Sequence, residues 1–272
     1  MNGRRHAIVL AGGRGQRLWP RTRDLPKALV PVGEHSILEI ILRQLAAARF
    51  TRVTLCVAHL ASMIRDRLGD GRQFGLCIDY ATDPRPLGTA GPLGMVQDWH
   101  DPALVVNCDI LTTMDFAHVH HCHVTSRCAL TVVAKEREIG IDSGVLDIAG
   151  GRVRRIWEKP RVTVSIAAGV YVADPSIRSH LREDAATDMP DLVSSLIANG
   201  LPVNCYPWHG EWHDIGTSSS LDEATLAVAR RPVAYLAGGA ADGPTGEERE
   251  GPSDNGQAAD GRVRLTLAEP GR

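Results

Sequence analysis

The residues best suited to chemistry in this chain of 272 residues crowd near its start. They run from Leu10-Ala11-Gly12-Gly13-Arg14-Gly15-Gln16-Arg17-Leu18-Trp19-Pro20 through Pro26-Lys27 to Pro31-Val32-Gly33. Glycines let a backbone turn sharply and approach a ligand closely. Successive backbone N–H groups in such a loop form a concavity that binds anions. Arg14, Arg17 and Lys27 add positive charge where it opens, so phosphate is the ligand that suits it. Two common phosphate loops do not fit. No Gly-Lys-Ser/Thr triplet follows, as a nucleotide P-loop requires, and Leu18 stands where the dinucleotide fingerprint needs its third glycine.

A second group of candidates is acidic. The apolar run Ala103-Leu104-Val105-Val106 ends in Asn107-Cys108-Asp109, and a carboxylate at the tip of a central strand is well placed to hold Mg²⁺, a hard cation that shares substrate phosphates. Asp214, in His213-Asp214-Ile215-Gly216-Thr217, precedes a helical stretch from Ser218 to Ala229. A helix-start role and a metal role would use the same oxygens, and both stay open. Glu158 and Lys159, before Pro160, read either as a solvated strand end or as a binding pair. The chain has only the lysines 27, 135 and 159, and two of them sit beside prolines in short motifs, which favours binding. His118, His120, His121, Cys122 and His123, with Cys128 nearby, could suggest zinc, but zinc sites recruit paired ligands from separate segments. Here the candidates share one amphipathic helix, and surface histidines are the expectation.

These residues need a scaffold, and periodicity supplies one. Ala7–Leu10, Val53–Val57, Leu76–Tyr80, Ala103–Val106 and Ala129–Ala134 read as strands. Ser36 with Glu39 forms a capping box before Ile37, Ile40, Ile41 and Leu45 at helical spacing. Further helices are expected over Ser62–Leu68, from the Pro86–Gly91 turn to about Gln97, over Asp115–Val124, and from Met189 to Gly200 with Val193, Leu196 and Ile197 on one face. Ala149-Gly150-Gly151 joins strands 144–148 and 152–157 into a hairpin. Strand–helix alternation of this kind implies an α/β fold built on a mostly parallel sheet flanked by helices. Ligands of such sheets bind beyond the strands' carboxyl ends, where the glycine loop and Asp109 fall.

Composition removes several classes. Apolar residues make up 43% of the chain and the net charge is −2, which argues against a nucleic-acid or membrane-surface binder. No stretch is long enough to span a membrane, and the scattered cysteines, 6 in all, suit a reducing, cytoplasmic setting. From Arg231 onward periodicity is lost and Gly, Ala, Pro, Asp and Glu dominate. The expectation is a domain over 1–230 and a disordered tail over 231–272, in which Arg262–Leu267 could form one weak strand.

The pattern Leu-Ala-Gly-Gly-x-Gly-x-Arg-Leu-x-Pro, then Pro-Lys and Pro-Val-Gly, resembles the signature of the sugar-1-phosphate nucleotidyltransferases, in a short form without a β-helix domain. Pro86-Leu87-Gly88-Thr89-Ala90-Gly91, Glu158-Lys159-Pro160, Ala168-Gly169-Val170-Tyr171 and Trp212-x-Asp214-Ile215-Gly216 continue it. The resemblance implies a Rossmann-like sheet, with the hairpin region forming the sugar side. It implies transfer of a nucleotidyl group from a nucleoside triphosphate to a sugar-1-phosphate, with pyrophosphate released and Mg²⁺ as cofactor. Arg17 and Lys27 would be catalytic. Leu10, Ala11, Gly12, Gly13, Gly15, Asp83, Pro86, Gly88 and Thr89 would bind the nucleotide. Asn107, Gly144, Glu158, Lys159 and Gly169 would bind the sugar phosphate, and Asp109 and Asp214 the metal. The chain departs from the pattern at Ala167, where the family has a sugar-contacting asparagine. For the base, an ionised Asp83 only accepts hydrogen bonds and would match the adjacent N1–H and N2 amine of guanine, so GTP is the expected triphosphate. A dTTP- or UTP-using member, or a silent nucleotide-sugar-binding regulatory subunit, is the alternative. A homo-oligomer is compatible with all of these.

Overall fold

In the computed structural model of the chain, residues 5–83, 85–181, 186–237 and 266–268 are described. In chain order the elements are β1 (Arg5–Leu10), β2 (Pro31–Val32), β3 (His35–Ser36), α1 (Ile37–Ala47), β4 (Phe50–Val57), α2 (Ala61–Leu68), β5 (Cys77–Thr82), β6 (Ala103–Asn107), β7 (Ile110–Thr112), α3 (Phe116–Ser126) and β8 (Leu130–Gly140). There follow β9 (Val145–Ala149), β10 (Arg152–Trp157), β11 (Arg161–Ala173), α4 (Met189–Ala198), β12 (Val203–Trp208), β13 (Trp212–Asp214), α5 (Ser218–Arg230), α6 (Pro232–Leu236) and β14 (Thr266–Ala268). The chain forms two compact units. One comprises residues 1–133, 168–206 and 210–243, the other 134–167, 207–209 and 244–272.

The main sheet has the order β12-β8-β11-β6-β1-β4-β5, and its strands β1, β4, β5 and β6 lie wholly in the first unit. β1 runs parallel to β4 and β6, and β4 parallel to β5, while β11 is antiparallel to β6. This is the expected α/β architecture. The central strands carry buried, mostly apolar runs, Ala7–Val9 in β1, Val53–Val57 in β4 and Ala103–Val106 in β6, as strands covered on both faces do. Ile8 and Val105 point into a core shared with Trp99, Leu93, Met189, Leu192 and Leu196. Their neighbours Ala7, Val9, Leu104 and Val106 alternate to the opposite face and are equally inaccessible, as the strand period of two demands. The register pairs Leu10 with Cys56 and with Asn107, and Val57 with Thr82. The carboxyl ends of four parallel strands therefore finish in one row.

The capping box closes α1 as expected, Ser36 N–H donating to Glu39 Oε2 at 2.8 Å. Several expectations are corrected. The helix foreseen from the Pro86 turn to Gln97 is a single 3₁₀ stretch, Gly91–Met95, since Gly88 at φ +78° and two further glycines resist an α-helix. On α4 the buried face is Met189, Leu192 and Leu196. Ile197, one step round the helix, is 60% exposed. His123 is buried rather than on the surface, bonded to Thr131 Oγ1 at 2.9 Å. The boundary at 230 also fails, because α6 follows at once and its Tyr235 is fully buried. A Pro at the helix start and one well-anchored aromatic suffice for a short docked helix that composition reads as tail. Thr266–Ala268 pairs with β11 at Arg161–Thr163. The rest of the expected tail lies outside the described residues.

The second unit contains the hairpin expected around Gly150, with β9 and β10 antiparallel and Val153 opposite Ile148. Among the described residues no helix is long and apolar enough to cross a membrane.

Candidate active site

In the first unit the row of strand ends opens into a cavity of about 870 Å³, within the usual range for small-molecule sites. The glycine loop forms one wall. It leaves β1 with Ala11 N–H bonded to Cys56 O at 2.8 Å and turns at Gly15, φ +64°, where a Cβ would sit 2.9 Å from Lys27 Cβ. Only glycine lets the loop lie against Lys27. Thr22 Oγ1 donates to Gly15 O at 2.7 Å and ties the far side down. Lys27 is 6% exposed, and its Nζ donates to Asp109 Oδ2 at 2.6 Å. A cation and a carboxylate from segments 82 residues apart thus meet on the cavity floor.

Asp109 is held in turn by β13. Asp214 pairs with Ile110, and Ile215 N–H donates to Asp109 O at 2.9 Å, so the two aspartates stand on adjoining backbone. The capping alternative for Asp214 falls away because Thr217 caps α5, accepting from Ser220 N–H. Among the described residues no cluster of three His, Cys, Asp or Glu side chains could hold a metal. A pair of carboxylates beside a phosphate loop fits Mg²⁺, which takes one or two carboxylates and completes its shell with substrate oxygens and water. Beyond Ile215, a Cβ on Gly216 would come within 2.9 Å of the Arg17 guanidinium. Arg17 therefore lies flat on a glycine backbone.

The lining continues at β5's end and the loop after it, where Asp83 Oδ2 lies 3.6 Å from a Cβ built on Gly12. Asp83 Oδ1 is buried without a hydrogen-bond partner, and burial pushes its carboxyl up to about 6. Pro86, Leu87, Gly88 and Thr89 continue the wall. Asn107 Oδ1, at the end of β6, is likewise buried and unpartnered, and a Cβ on Gly169 would meet Asn107 Nδ2 at 3.0 Å. Such orphan acceptors are costly unless something supplies a donor.

Of the expected nucleotide residues, Leu10, Gly12, Gly13, Gly15, Asp83, Pro86, Gly88 and Thr89 all line this cavity, as do Arg17, Lys27, Asn107 and Asp109. Ala11 is buried behind the loop, and Gly169 and Asp214 touch lining residues without lining it. Gly144, Glu158 and Lys159 lie in the second unit. There Glu158 Oε2 would be 3.4 Å from a Cβ on Gly144, and Lys159 holds φ +46°, a left-handed backbone that non-glycine residues adopt chiefly where surroundings impose it.

Residues 6–231 match the family model described as nucleotidyl transferase. The chain belongs to that family. Over 248 residues it is 28% identical to a UTP–glucose-1-phosphate uridylyltransferase of Synechocystis, covering 84% of this chain and 64% of that protein. It is 30% identical over 220 residues to a mannose-1-phosphate guanyltransferase of Schizosaccharomyces pombe, covering 77% and 60%. The chain thus spans about three-fifths of the length of these relatives. A solved structure of a Bacillus anthracis protein, provisionally described as a glucose-1-phosphate thymidylyltransferase, superposes with a TM-score of 0.67 and 25% identity over 84% of this chain and 95% of that one.

The cavity is also lined by residues that no motif announced. Cys56, Ala58 and His59 line the cavity. Cys56 is the last residue but one of β4 and Ala58 and His59 follow the strand, and the rule that ligands sit beyond strand carboxyl ends was the one signal for them. Burial raises the Cys108 thiol to about 12, so it offers the family's chemistry no thiolate. The histidines of α3 do not line this cavity, and His118 Nε2 contacts Cys122 Sγ at 3.4 Å.

Proposed function

We propose that this chain transfers a nucleotidyl group from a nucleoside triphosphate, GTP in preference, to a sugar-1-phosphate. The observation that carries the reaction class is the Lys27–Asp109 contact beneath the glycine loop, where cation, carboxylate and backbone donors converge. The sugar-1-phosphate oxygen attacks the α-phosphorus in line, the new P–O bond forms, and the bond to pyrophosphate breaks. Both reactants are polyanions, so positioning and charge neutralisation carry the catalysis. The glycine-loop N–H groups hold the triphosphate, Arg17 takes charge developing on the pyrophosphate, and Lys27 adds charge near the reacting centre while orienting Asp109. Asp109 and Asp214 would hold Mg²⁺, which when bound supplies positive charge to the phosphate oxygens. Glu158 and Lys159 take the sugar phosphate, the lysine as a point charge.

Preference for guanine rests on Asp83. Asp83 lines the cavity and its Oδ1 has no hydrogen-bond partner, so a base edge with two adjacent donors would satisfy the whole carboxylate. Uracil and thymine flank one N–H with carbonyl oxygens, which a carboxylate repels. Pyrophosphate release measured over a grid of triphosphates and sugar-1-phosphates tests both parts. GTP should give the highest kcat/KM. A clear lead for UTP or dTTP removes the base assignment, and no release with any pair removes the reaction. Asp109→Asn should fold normally and lose most of the Mg²⁺-dependent turnover, since an amide is a poor ligand for that ion.

A further inference from the structure

The loop Pro86–Gly91 carries a wall of the cavity but little of its own scaffolding. Its 3₁₀ stretch begins only at Gly91, and Gly88 sits at φ +78°. What fixes it comes from about a hundred residues later. Thr187 O accepts from Ala90 N–H at 2.8 Å and Gly91 N–H at 3.0 Å, and Thr187 N–H donates to Leu87 O at 2.9 Å. Asp188 Oδ1 accepts from Thr89 N–H at 2.8 Å and from Thr89 Oγ1 at 3.1 Å. Thr89 Oγ1 in return accepts from Met189 N–H at 2.8 Å. The fit has no slack, since a Cβ on Gly88 would lie 2.5 Å from Thr187 O and 2.9 Å from Asp188 Oδ1.

Asp188 occupies the N-cap position of α4, yet its side chain makes no capping bond to its own helix. A capping aspartate ordinarily accepts from the first N–H groups of its own helix. Here the carboxylate is directed across the chain to Thr89 instead, and the Thr89 hydroxyl satisfies one of the helix's first N–H groups. The exchange is reciprocal. Its beneficiary is the loop that lines the same cavity as Asp83.

We propose that Asp188 is a positioning residue that clasps Thr89 and sets the base-reading loop against Asp83, so that it helps determine which triphosphate the cavity accepts. The proposal rests on the nucleotide reading of the cavity. Loosening the clasp lets the loop drift, which weakens contacts to the base while leaving the phosphate-binding loop and the second unit's motif untouched.

The test compares wild type, Asp188→Ala and Asp188→Asn, with Thr89→Ser and Thr89→Val as a second pair acting from the other side. Asp188→Ala should speed hydrogen exchange at Thr89, raise KM for the preferred triphosphate about tenfold, and narrow its preference over the other triphosphates. KM for the sugar-1-phosphate should stay within about twofold, the pattern of lost ground-state binding on one substrate. Asp188→Asn keeps an acceptor oxygen and should recover most of the loss, as Thr89→Ser should relative to Thr89→Val. Unchanged exchange, an unchanged preference ratio, equal effects on both substrates, or an asparagine no better than alanine would each overturn the clasp. Wild type accepting no triphosphate overturns the functional reading and the clasp with it. A wild-type preference retained in Asp188→Ala overturns the clasp alone.

Discussion

Asp83 and Gly216 make the sharpest predictions at the scale of single residues. Burial raises the Asp83 carboxyl to about 6, above the ordinary range near 4. A raised acid disfavours the folded state once it must ionise. Its penalty is absent below the unfolded value, grows between about 4 and 6, and is complete above that. Asp83→Asn should therefore raise the melting temperature at pH 8 and lose that gain towards pH 4, as thermal melts across pH would register. The proposed guanine contact needs the ionised form, so discrimination for GTP over UTP should strengthen as pH rises through 6 in wild type and show no such trend in Asp83→Asn. Gly216→Ala is a different kind of change. The clash is with the far end of a flexible Arg17 side chain, so stability should be nearly unaffected while the guanidinium is displaced. A shift of about 1 Å in a catalytic group can cost on the order of a hundredfold in rate. Steady-state kinetics should show most of that loss in kcat. An unaltered kcat would mean that Arg17 does not work from the place where it rests.

Among the elements, α6 is the one whose role local pattern concealed. Tyr235 is fully buried, donates to Glu211 Oε2 at 2.7 Å and meets His213 Nε2 at 3.0 Å. Glu211 also accepts from Arg231 at 2.8 Å, and its backbone oxygen accepts from Thr112 Oγ1 at 2.7 Å. The helix thereby braces β13, the strand that bears Asp214. Ending the chain after Arg231 removes this brace, and losing one large buried aromatic alone costs about 3–5 kcal/mol. At about 2–4 °C per kcal/mol for a chain of this size, the melting temperature should fall by roughly 6 °C or more. Ending it after Ala237 keeps α6 and should melt within a few degrees of the full chain. Equal melting of the two truncations would show that α6 contributes nothing. The sequence does not announce the helix because five residues, Pro232–Leu236, are too few for periodicity to register, and because Tyr235 finds its partners on β13 and just before it rather than nearby in sequence.

At the scale of the whole molecule, the two compact units divide the motifs. The glycine loop, Lys27, Asp83 and Asp109 belong to the first, and Glu158 with Lys159 to the second. Lys159→Ala should accordingly raise KM for the sugar-1-phosphate by tenfold or so and leave KM for the triphosphate within about twofold. Equal effects would assign Lys159 to the nucleotide. This division was not legible in the chain, which reads as one domain over 1–230, but much of the first unit was. Continuous apolar runs, a capping box and a glycine loop after a strand are local signals, set by backbone sterics and the burial of adjacent side chains. They specified an α/β sheet and put the candidate residues at its strand ends, and Leu10, Gly12, Gly15, Lys27 and Asp109 meet there. Other roles depended on partners far away in sequence. Nothing near Asp188 distinguishes it from an ordinary helix cap, and nothing near Gly216 tells of Arg17. Even Asp83, suspected from its position, acquired its force only when packing buried Oδ1 with no donor to meet it. Local pattern determines which elements form and where their ends fall. Only the tertiary structure decides which polar groups those ends leave paired, clasped or waiting for a ligand, because that depends on contacts the chain makes after it has folded back on itself.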